Sequence, residues 1–243
     1  MSKQNLVFVP GLMCDAAVWA PQVAAFEDRA QTQVADHGMK NSLVQMAEAV
    51  IAQAPPKFAL VGHSMGGRVA LEVVRRAAGR VTGLALLDTG ITPLASGEAG
   101  DKERAGRLEL LTLARMAGMR AVCARWLKIP MLHPSRLNDA DLIEVITDMF
   151  ARQSAQKFEA QITALLNRPD ARSLLPLISC PTLVLCGAED VWSQLAQHRV
   201  MSQLIPHSNL VSVPDCGHMS PLERPEAVNA ALSSWLERIE SLN

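Results

Sequence analysis

"ALVGHSMGGRVALEVV", residues 59–74, joins two different apolar patterns at one serine. Up to Gly62 the run is short and continuous, as in a buried strand. After Met65 the residues Val69, Ala70, Val73, Val74 and Ala77 fall on one stripe at helical spacing. Between the two stands Gly62-His63-Ser64-Met65-Gly66. A strand that turns at once into a helix strains the backbone at the turn, and side chains two positions to either side would collide. Glycine at 62 and 66 avoids that collision. The pattern predicts a Ser64 hydroxyl raised above the carboxyl edge of a sheet. The free N–H groups of a helix N-terminus would point at the same spot, which suits an oxyanion. An ordinary glycine-bearing loop is the simpler alternative, and the strand–turn–helix setting argues against it.

Short apolar runs with turn signals recur on both sides of this segment, at 5–11, 31–37, 81–88, 181–187 and 209–215. Helical patterns alternate with them. One begins at 16–26. Another covers 42–54, with Ser42 as cap and Leu43, Met46, Ala47 and Val50 on one face. The last covers 224–239, with Val228, Leu232, Trp235, Leu236 and Ile239 facing inward. Such alternation predicts an α/β fold, a doubly wound and mostly parallel sheet covered on both faces. Residues 92–168 break it, for they hold no strand candidate. There, 139–153 places Leu142, Val145, Ile146, Met149 and Phe150 on one face, and 157–167 does the same with Phe158, Ile162, Leu165 and Leu166. The expected organisation is a core of residues 1–91 and 169–243 with a helical insertion, 92–168, roofing the serine. Leu108, Leu111, Met116, Met119, Trp126, Met149 and Phe158 of the insertion are expected mainly to pack as core. Its Met and Leu content suits an adaptable apolar pocket.

The chain has 243 residues and 49% hydrophobic content, enough for a sizeable core. Its 23 basic and 24 acidic residues are mixed along the chain and give a net charge of −1. No basic block suggests nucleic acid, and with 4% aromatics and no tyrosine a base-stacking surface is not expected. Cys14, Cys123, Cys180, Cys186 and Cys216 are odd in number with no CxxC spacing, which is neither a disulfide framework nor a zinc site. The opening "MSKQNLVFVPG" does not read as a signal peptide, and no stretch approaches the roughly 18 apolar residues of a membrane span. A reduced, cytoplasmic setting without membrane attachment is the expectation.

A nucleophilic serine needs a base, and the base needs an orienting acid. "LVLCGAEDVW" (183–192) ends a strand pattern and delivers Asp190; "VSVPDCGHMSPLERP" (211–225) ends the last one and delivers His218. The order Ser, Asp, His is the one expected of a doubly wound hydrolase sheet. His63 is expected to be a packed neighbour, and Asp215 a turn residue. Asp88 follows the preceding strand pattern. His37, His133, His198 and His207 are expected on the surface or in loops.

Four motifs in register, a strand ending in Pro10-Gly11, GHSMGG (62–67), GAED (187–190) and DCGHMSPLERPEAV (215–228), resemble the α/β-hydrolase superfamily over nearly the whole chain. The resemblance implies Ser64 as nucleophile, His218 as general base and acid, and Asp190 as the orienting carboxylate. Asp88 is the best rival acid, because some members of the superfamily place it there. It implies an oxyanion hole from the backbone N–H groups of Met65 and Leu12, a cap or lid at 92–168, and neither metal nor organic cofactor. Where the family usually carries His-Gly, this chain carries Pro10-Gly11; the required donor lies two residues beyond the proline. A serine at the turn argues against haloalkane dehalogenases and epoxide hydrolases, which use aspartate there. Carboxylesterase, lactonase, thioesterase, C–C bond hydrolase and cofactor-free haloperoxidase remain, and the chain looks most like small bacterial esterases and enol-lactone hydrolases. The expected partner is a small or medium ester, lactone or thioester, with Cys14, Trp19 and Trp192 lining its pocket. A noncatalytic small-molecule-binding protein on the same fold is the alternative. The sequence does not set the oligomeric state.

Overall fold

A computed structural model describes residues 3–242. Strands β1 (Gln4–Val9), β2 (Ala30–Val34), β3 (Phe58–His63), β4 (Val81–Leu87), β5 (Thr182–Gly187) and β6 (Ser208–Val213) form one sheet in the order β2-β1-β3-β4-β5-β6. Every pairing in it is parallel. Parallel neighbours need crossovers, and helices supply them: α1 (Ala20–Phe26), α2 (Leu43–Gln53), α3 (Met65–Ala77) and α7 (Leu195–Leu204); the short α8 (Ser220–Glu223) and α9 (Pro225–Glu240) follow β6. Between β4 and β5 the chain inserts α4 (Glu98–Leu127), α5 (Ala140–Ala151) and α6 (Ala155–Leu166).

Strand periodicity divides the core in two. Leu6, Phe8, Ala59 and Val61 pack with Phe26 of α1 and with Leu232 and Trp235 of α9. Their neighbours Val7, Val9 and Leu60 pack on the other face with Met46 of α2, Val69 and Val73 of α3, and Met201 of α7. A one-residue slip would exchange the two sets, so burial on both faces fixes register. Each buried Val, Leu or Phe side chain contributes roughly 1.5–3 kcal/mol. α2, α5 and α6 start on side-chain caps: Ser42 Oγ accepts Gln45 N–H at 3.1 Å, Asp139 accepts Leu142 N–H at 3.0 Å, and Ser154 accepts Lys157 N–H at 3.1 Å.

The inserted helices pack around Trp126, whose ring meets Phe150 edge-on at 5.2 Å and Phe158 at 5.8 Å. Leu111, Met119, Met149 and Phe158 are buried as expected of core. Leu108, Met116 and Val145 are not; they are 49%, 83% and 42% exposed. They lie on the outer side of the inserted helices, where no further layer covers them among the described residues. α4 breaks at Gly118, whose φ of 78° is readily adopted only by glycine. Polar contacts hold the insertion to the body: Arg152 donates to Asp15 at 2.9 Å, Lys157 to Asp36 at 3.0 Å, and Met13 N–H to Gln161 Oε1 at 2.9 Å.

α7 is not marked in the apolar pattern, because the residues it buries are His198 and Met201. Among the described residues no helix is long and apolar enough to cross a membrane. The five cysteines are free thiols.

The chain runs outward from β1 to β2 and then in the opposite direction through β3 to β6. The crevice beyond the carboxyl ends of β1 and β3 is therefore the switch point at which doubly wound sheets bind ligands. The loop from Gly11 follows β1, and Ser64 follows β3.

Candidate active site

Ser64 sits between β3 and α3 with φ 54° and ψ −118°, a conformation unusual for a residue with a side chain. The glycines around it are sterically required. A Cβ on Gly62 would lie 2.5 Å from Gly66 O, and one on Gly66 would lie 2.0 Å from Val9 O. The strained turn is held from its neighbours: Ser64 N–H donates to Leu87 O at 2.9 Å, and Thr89 Oγ1 donates to Ser64 O at 2.6 Å.

Three strand ends converge at this turn. His218 Nε2 lies 2.9 Å from Ser64 Oγ, and His218 Nδ1 lies 2.8 Å from Asp190 Oδ2. The other oxygen of Asp190 accepts the N–H groups of Trp192 at 2.8 Å and Ser193 at 2.9 Å. Burial opposes the charge of Asp190. The His218 ring and the amides of Ser193 and Trp192 outweigh it and hold the carboxyl below its ordinary range. Burial likewise favours a neutral His218, but the adjacent Asp190 carboxylate wins and raises its pKa above the usual 6.5. Asp190 thus fixes the proton on Nδ1 and leaves Nε2 to accept from Ser64.

The loop carrying His218 is clamped by Glu223, a buried carboxylate at the start of the last helices. Its Oε2 accepts His133 N–H at 2.7 Å and Gly217 N–H at 3.1 Å, and its Oε1 accepts Met219 N–H at 3.0 Å. Glu223 lay inside a motif quoted for its histidine, and nothing local in the sequence marks it as a clamp. His218 N–H donates to Met131 O at 2.8 Å, which ties the same loop to the insertion.

The rival groups are occupied elsewhere. Burial, reinforced by the charge of Asp190, pushes the Asp88 carboxyl up to about 8, so at neutral pH it is mainly protonated. It accepts Gly187 N–H at 2.9 Å and bonds to Ser220 Oγ, and its contact with a histidine is with His63 at 3.7 Å. Burial and the nearby His218 push the His63 pKa down to about 3, so its neutral ring donates Nε2–H to His218 O at 2.8 Å.

Two other histidines are buried: His198 lies on α7, contrary to expectation, and His37 lies in a loop. His37 donates from Nε2 to Pro10 O at 2.9 Å, and His198 Nε2 accepts Thr89 N–H at 3.1 Å. Both brace loops that border Ser64, and burial lowers the pKa of each. His133 is partly exposed and His207 exposed.

A cavity of about 900 Å³ opens above Ser64, bounded by the sheet edge and by the insertion. Leu12, Cys14, Met65 and Trp192 line it, as does His218. The Trp192 ring stands 5.0 Å from that of His218 and 5.6 Å from that of Trp126. Trp19 does not line it. Its side chain turns down into the core, with its ring 4.9 Å from Phe8 and 6.2 Å from His63, so it supports the site from behind. Cys14 is a protonated thiol, pushed up to about 12 by burial and by the charge of Asp15. Met65 opens α3, and the first-turn N–H groups of a helix have no acceptor within it. Leu12 precedes Met13, whose φ of 60° and bond to Gln161 shape the loop after β1. Among the described residues, Asp88, Cys186 and Asp190 bring ligand-type atoms within 4.8 Å of one another. Those atoms are engaged in hydrogen bonds, Cys186 Sγ with Ser193 O at 3.2 Å and the two carboxylates as above.

The sequence profile of the alpha/beta hydrolase family matches residues 6–231. The 3-oxoadipate enol-lactonase 2 of Acinetobacter baylyi is 26% identical over 251 residues, covering 97% of this chain and 90% of its own. The pimeloyl-[acyl-carrier protein] methyl ester esterase of Nitrosomonas europaea is 26% identical over 248 residues, covering 91% of each. Among solved structures, a thermophilic esterase from Thermogutta terrifontis superimposes with a TM-score of 0.86 at 28% identity, over 98% of this chain and 91% of the other.

Proposed function

The chain belongs to the alpha/beta hydrolase family, and from that premise we propose that it is a serine hydrolase of small or medium carboxylic esters, lactones or thioesters. The observation that carries the reading is the continuous relay from Ser64 Oγ through His218 to Asp190, at 2.9 and 2.8 Å, on the floor of a cavity. The names of the relatives, an enol-lactonase and a methyl ester esterase, put ester-type bonds first.

In this reading His218 Nε2 takes the Ser64 proton as Oγ attacks the carbonyl carbon. Asp190 stays ionised and stabilises the imidazolium that forms. The N–H groups of Met65 and Leu12 receive the oxyanion, each such donor lowering the barrier by about 2.7–4 kcal/mol. His218 then returns its proton to the leaving oxygen or sulfur, and an acyl group remains on Ser64. Water, deprotonated by the same ring, releases the acid. General-base action of this kind contributes roughly 10²–10⁴-fold. Residues 92–168 act as the cap, with Trp126 facing the substrate from above and Cys14 and Trp192 as side walls.

Hydrolysis of a panel of methyl esters, lactones and acyl thioesters tests the proposal, with mass analysis of the quenched protein. The wild type should turn over members of the panel and show a transient acyl adduct. Ser64→Ala should lose both, with turnover falling at least about 10³-fold. Equal turnover by the variant would overturn the reading.

A further inference from the structure

The chain carries a net charge of −1, yet the cavity above Ser64 is cationic. Arg68, Lys102, Arg107, Arg125 and Arg168 line it, against Glu103 and Glu109. Three of the arginines gather near Glu103. Arg168 grips its carboxylate with Nη1 at 2.7 Å and Nη2 at 2.8 Å, and its other N–H groups reach Thr92 O at 3.2 Å and Leu165 O at 2.8 Å. It is a saturated structural strut. Arg107 Nε adds a bond to the same carboxylate at 2.9 Å. One negative charge thus faces three positive ones.

Arg68 is the guanidinium left without a carboxylate. It sits on α3 one turn after Ser64, about 6 Å further along the helix axis. Among the described residues its side chain makes one hydrogen bond, from Nη1 to Thr92 O at 2.9 Å. That bond sets the direction of the fork and leaves its remaining N–H groups without a protein acceptor. The backbone makes room for it: a Cβ on Gly90 would lie 2.5 Å from Nη2. Burial, and then the charge of Arg168, lowers its pKa, although the group remains cationic at neutral pH. Arg68 is half-buried, and the one nearby carboxylate, Glu103, is already gripped by Arg168 and Arg107, so an anion entering the cavity would supply the missing counter-charge.

We infer that the substrate carries a carboxylate, and that Arg68, backed by Arg107, receives it in the cavity that holds Ser64. This specificity site rests on the hydrolase reading of Ser64. The guanidinium fork matches a carboxylate with two parallel charge-assisted hydrogen bonds. One small molecule spans both points, with Leu110, Leu113 and Trp126 of the same lining beside its apolar chain. The favoured compounds are half-esters, half-thioesters or lactones of dicarboxylic acids.

The test compares kcat/KM for the methyl half-esters of succinic, glutaric, adipic and pimelic acids with that for the methyl ester of the monocarboxylic acid of equal length. At least one half-ester should be preferred by about tenfold or more. The ratio should fall towards one in Arg68→Gln, fall less in Arg68→Lys, and shrink in Arg107→Gln, which leaves α3 untouched. The free dicarboxylate should compete better than inorganic phosphate. A wild-type ratio at or below one, a ratio unchanged in Arg68→Gln and Arg107→Gln, or phosphate competing as well as dicarboxylate would each overturn the inference. Binding to Ser64→Ala separates it from the hydrolase reading. If no ester is cleaved but the half-ester binds more tightly than the neutral ester and loses this with Arg68→Gln, the carboxylate site stands and the hydrolase reading fails. Equal binding overturns the site.

Discussion

Replacing Glu223 with glutamine keeps the shape of the side chain and removes the charge that holds the His218 loop. The carboxylate accepts three backbone N–H groups, two on Oε2 and one on Oε1. A glutamine must turn its NH₂ towards one side. The less harmful choice keeps the bonds from His133 and Gly217 as neutral ones and sets a donor against Met219 N–H. A buried donor left unsatisfied costs about 1–3 kcal/mol, and each bond that loses its charge assistance costs on the order of 0.5–1.5 kcal/mol. The sum is roughly 4 kcal/mol, equivalent to a fall in Tm of about 8–16 °C in a chain of this size. His218 lies between Gly217 and Met219, so relaxation of the loop moves the ring away from Ser64. A displacement of about 1 Å costs on the order of 10²-fold in rate. Thermal unfolding and the rate of Ser64 labelling by a fluorophosphonate measure the two effects. The exposed Glu226→Gln is the control, expected within about 0.5 kcal/mol of wild type. A Glu223→Gln protein with the Tm and labelling rate of wild type would refute the clamp.

The acid limb of kcat/KM should have its midpoint above 6.5, because Asp190 raises the His218 pKa and the base must be neutral to act; in Asp190→Asn burial prevails and the midpoint should drop below 6.5, whereas a wild-type midpoint below 6.5 would contradict the Asp190–His218 coupling. Asp88→Asn should retain Ser64 labelling. Since the folded pKa of Asp88 is raised from 3.8 to about 8, wild type loses stability as pH rises between those values and the variant does not. The stability difference between the two proteins should therefore shift towards the variant over that window, as read by denaturant titration, and no shift would count against a protonated Asp88. Gln161→Leu leaves Met13 N–H without its acceptor in the loop after β1. It should cost about 1–3 kcal/mol and lower kcat more than it alters KM, and an unchanged kcat would dissociate Gln161 from the oxyanion loop.

Local periodicity carried most of the architecture. The segment 58–77 switches from a continuous apolar run to a helical stripe, and both patterns survive folding because the strand is buried on both faces and the helix on one. α7 escaped notice because its inward positions include a histidine. The burial of His198 and His37 is not legible locally because it depends on partners far along the chain, the N–H of Thr89 and the carbonyl of Pro10. Trp19 follows the loop after β1 closely enough in sequence to suggest a pocket wall, but the turn at Ala16–Trp19 aims it at Phe8. Asp88 and Asp190 both follow strands, and local sequence does not separate them. The fold does, by giving Asp190 the ring of His218 and Asp88 the amide of Gly187. Nothing local in the sequence marks Arg68, which precedes the apolar stripe of α3; its meaning depends on Glu103 and Arg168, which are brought beside it by the insertion.

The central claim is that Ser64 is activated by His218. Incubation of the folded protein with a fluorophosphonate, followed by intact mass and peptide mapping, tests this without a choice of substrate. The relay predicts a single adduct on Ser64 in the wild type and its loss in His218→Ala. No adduct in folded wild type, or equal labelling of His218→Ala, would contradict it.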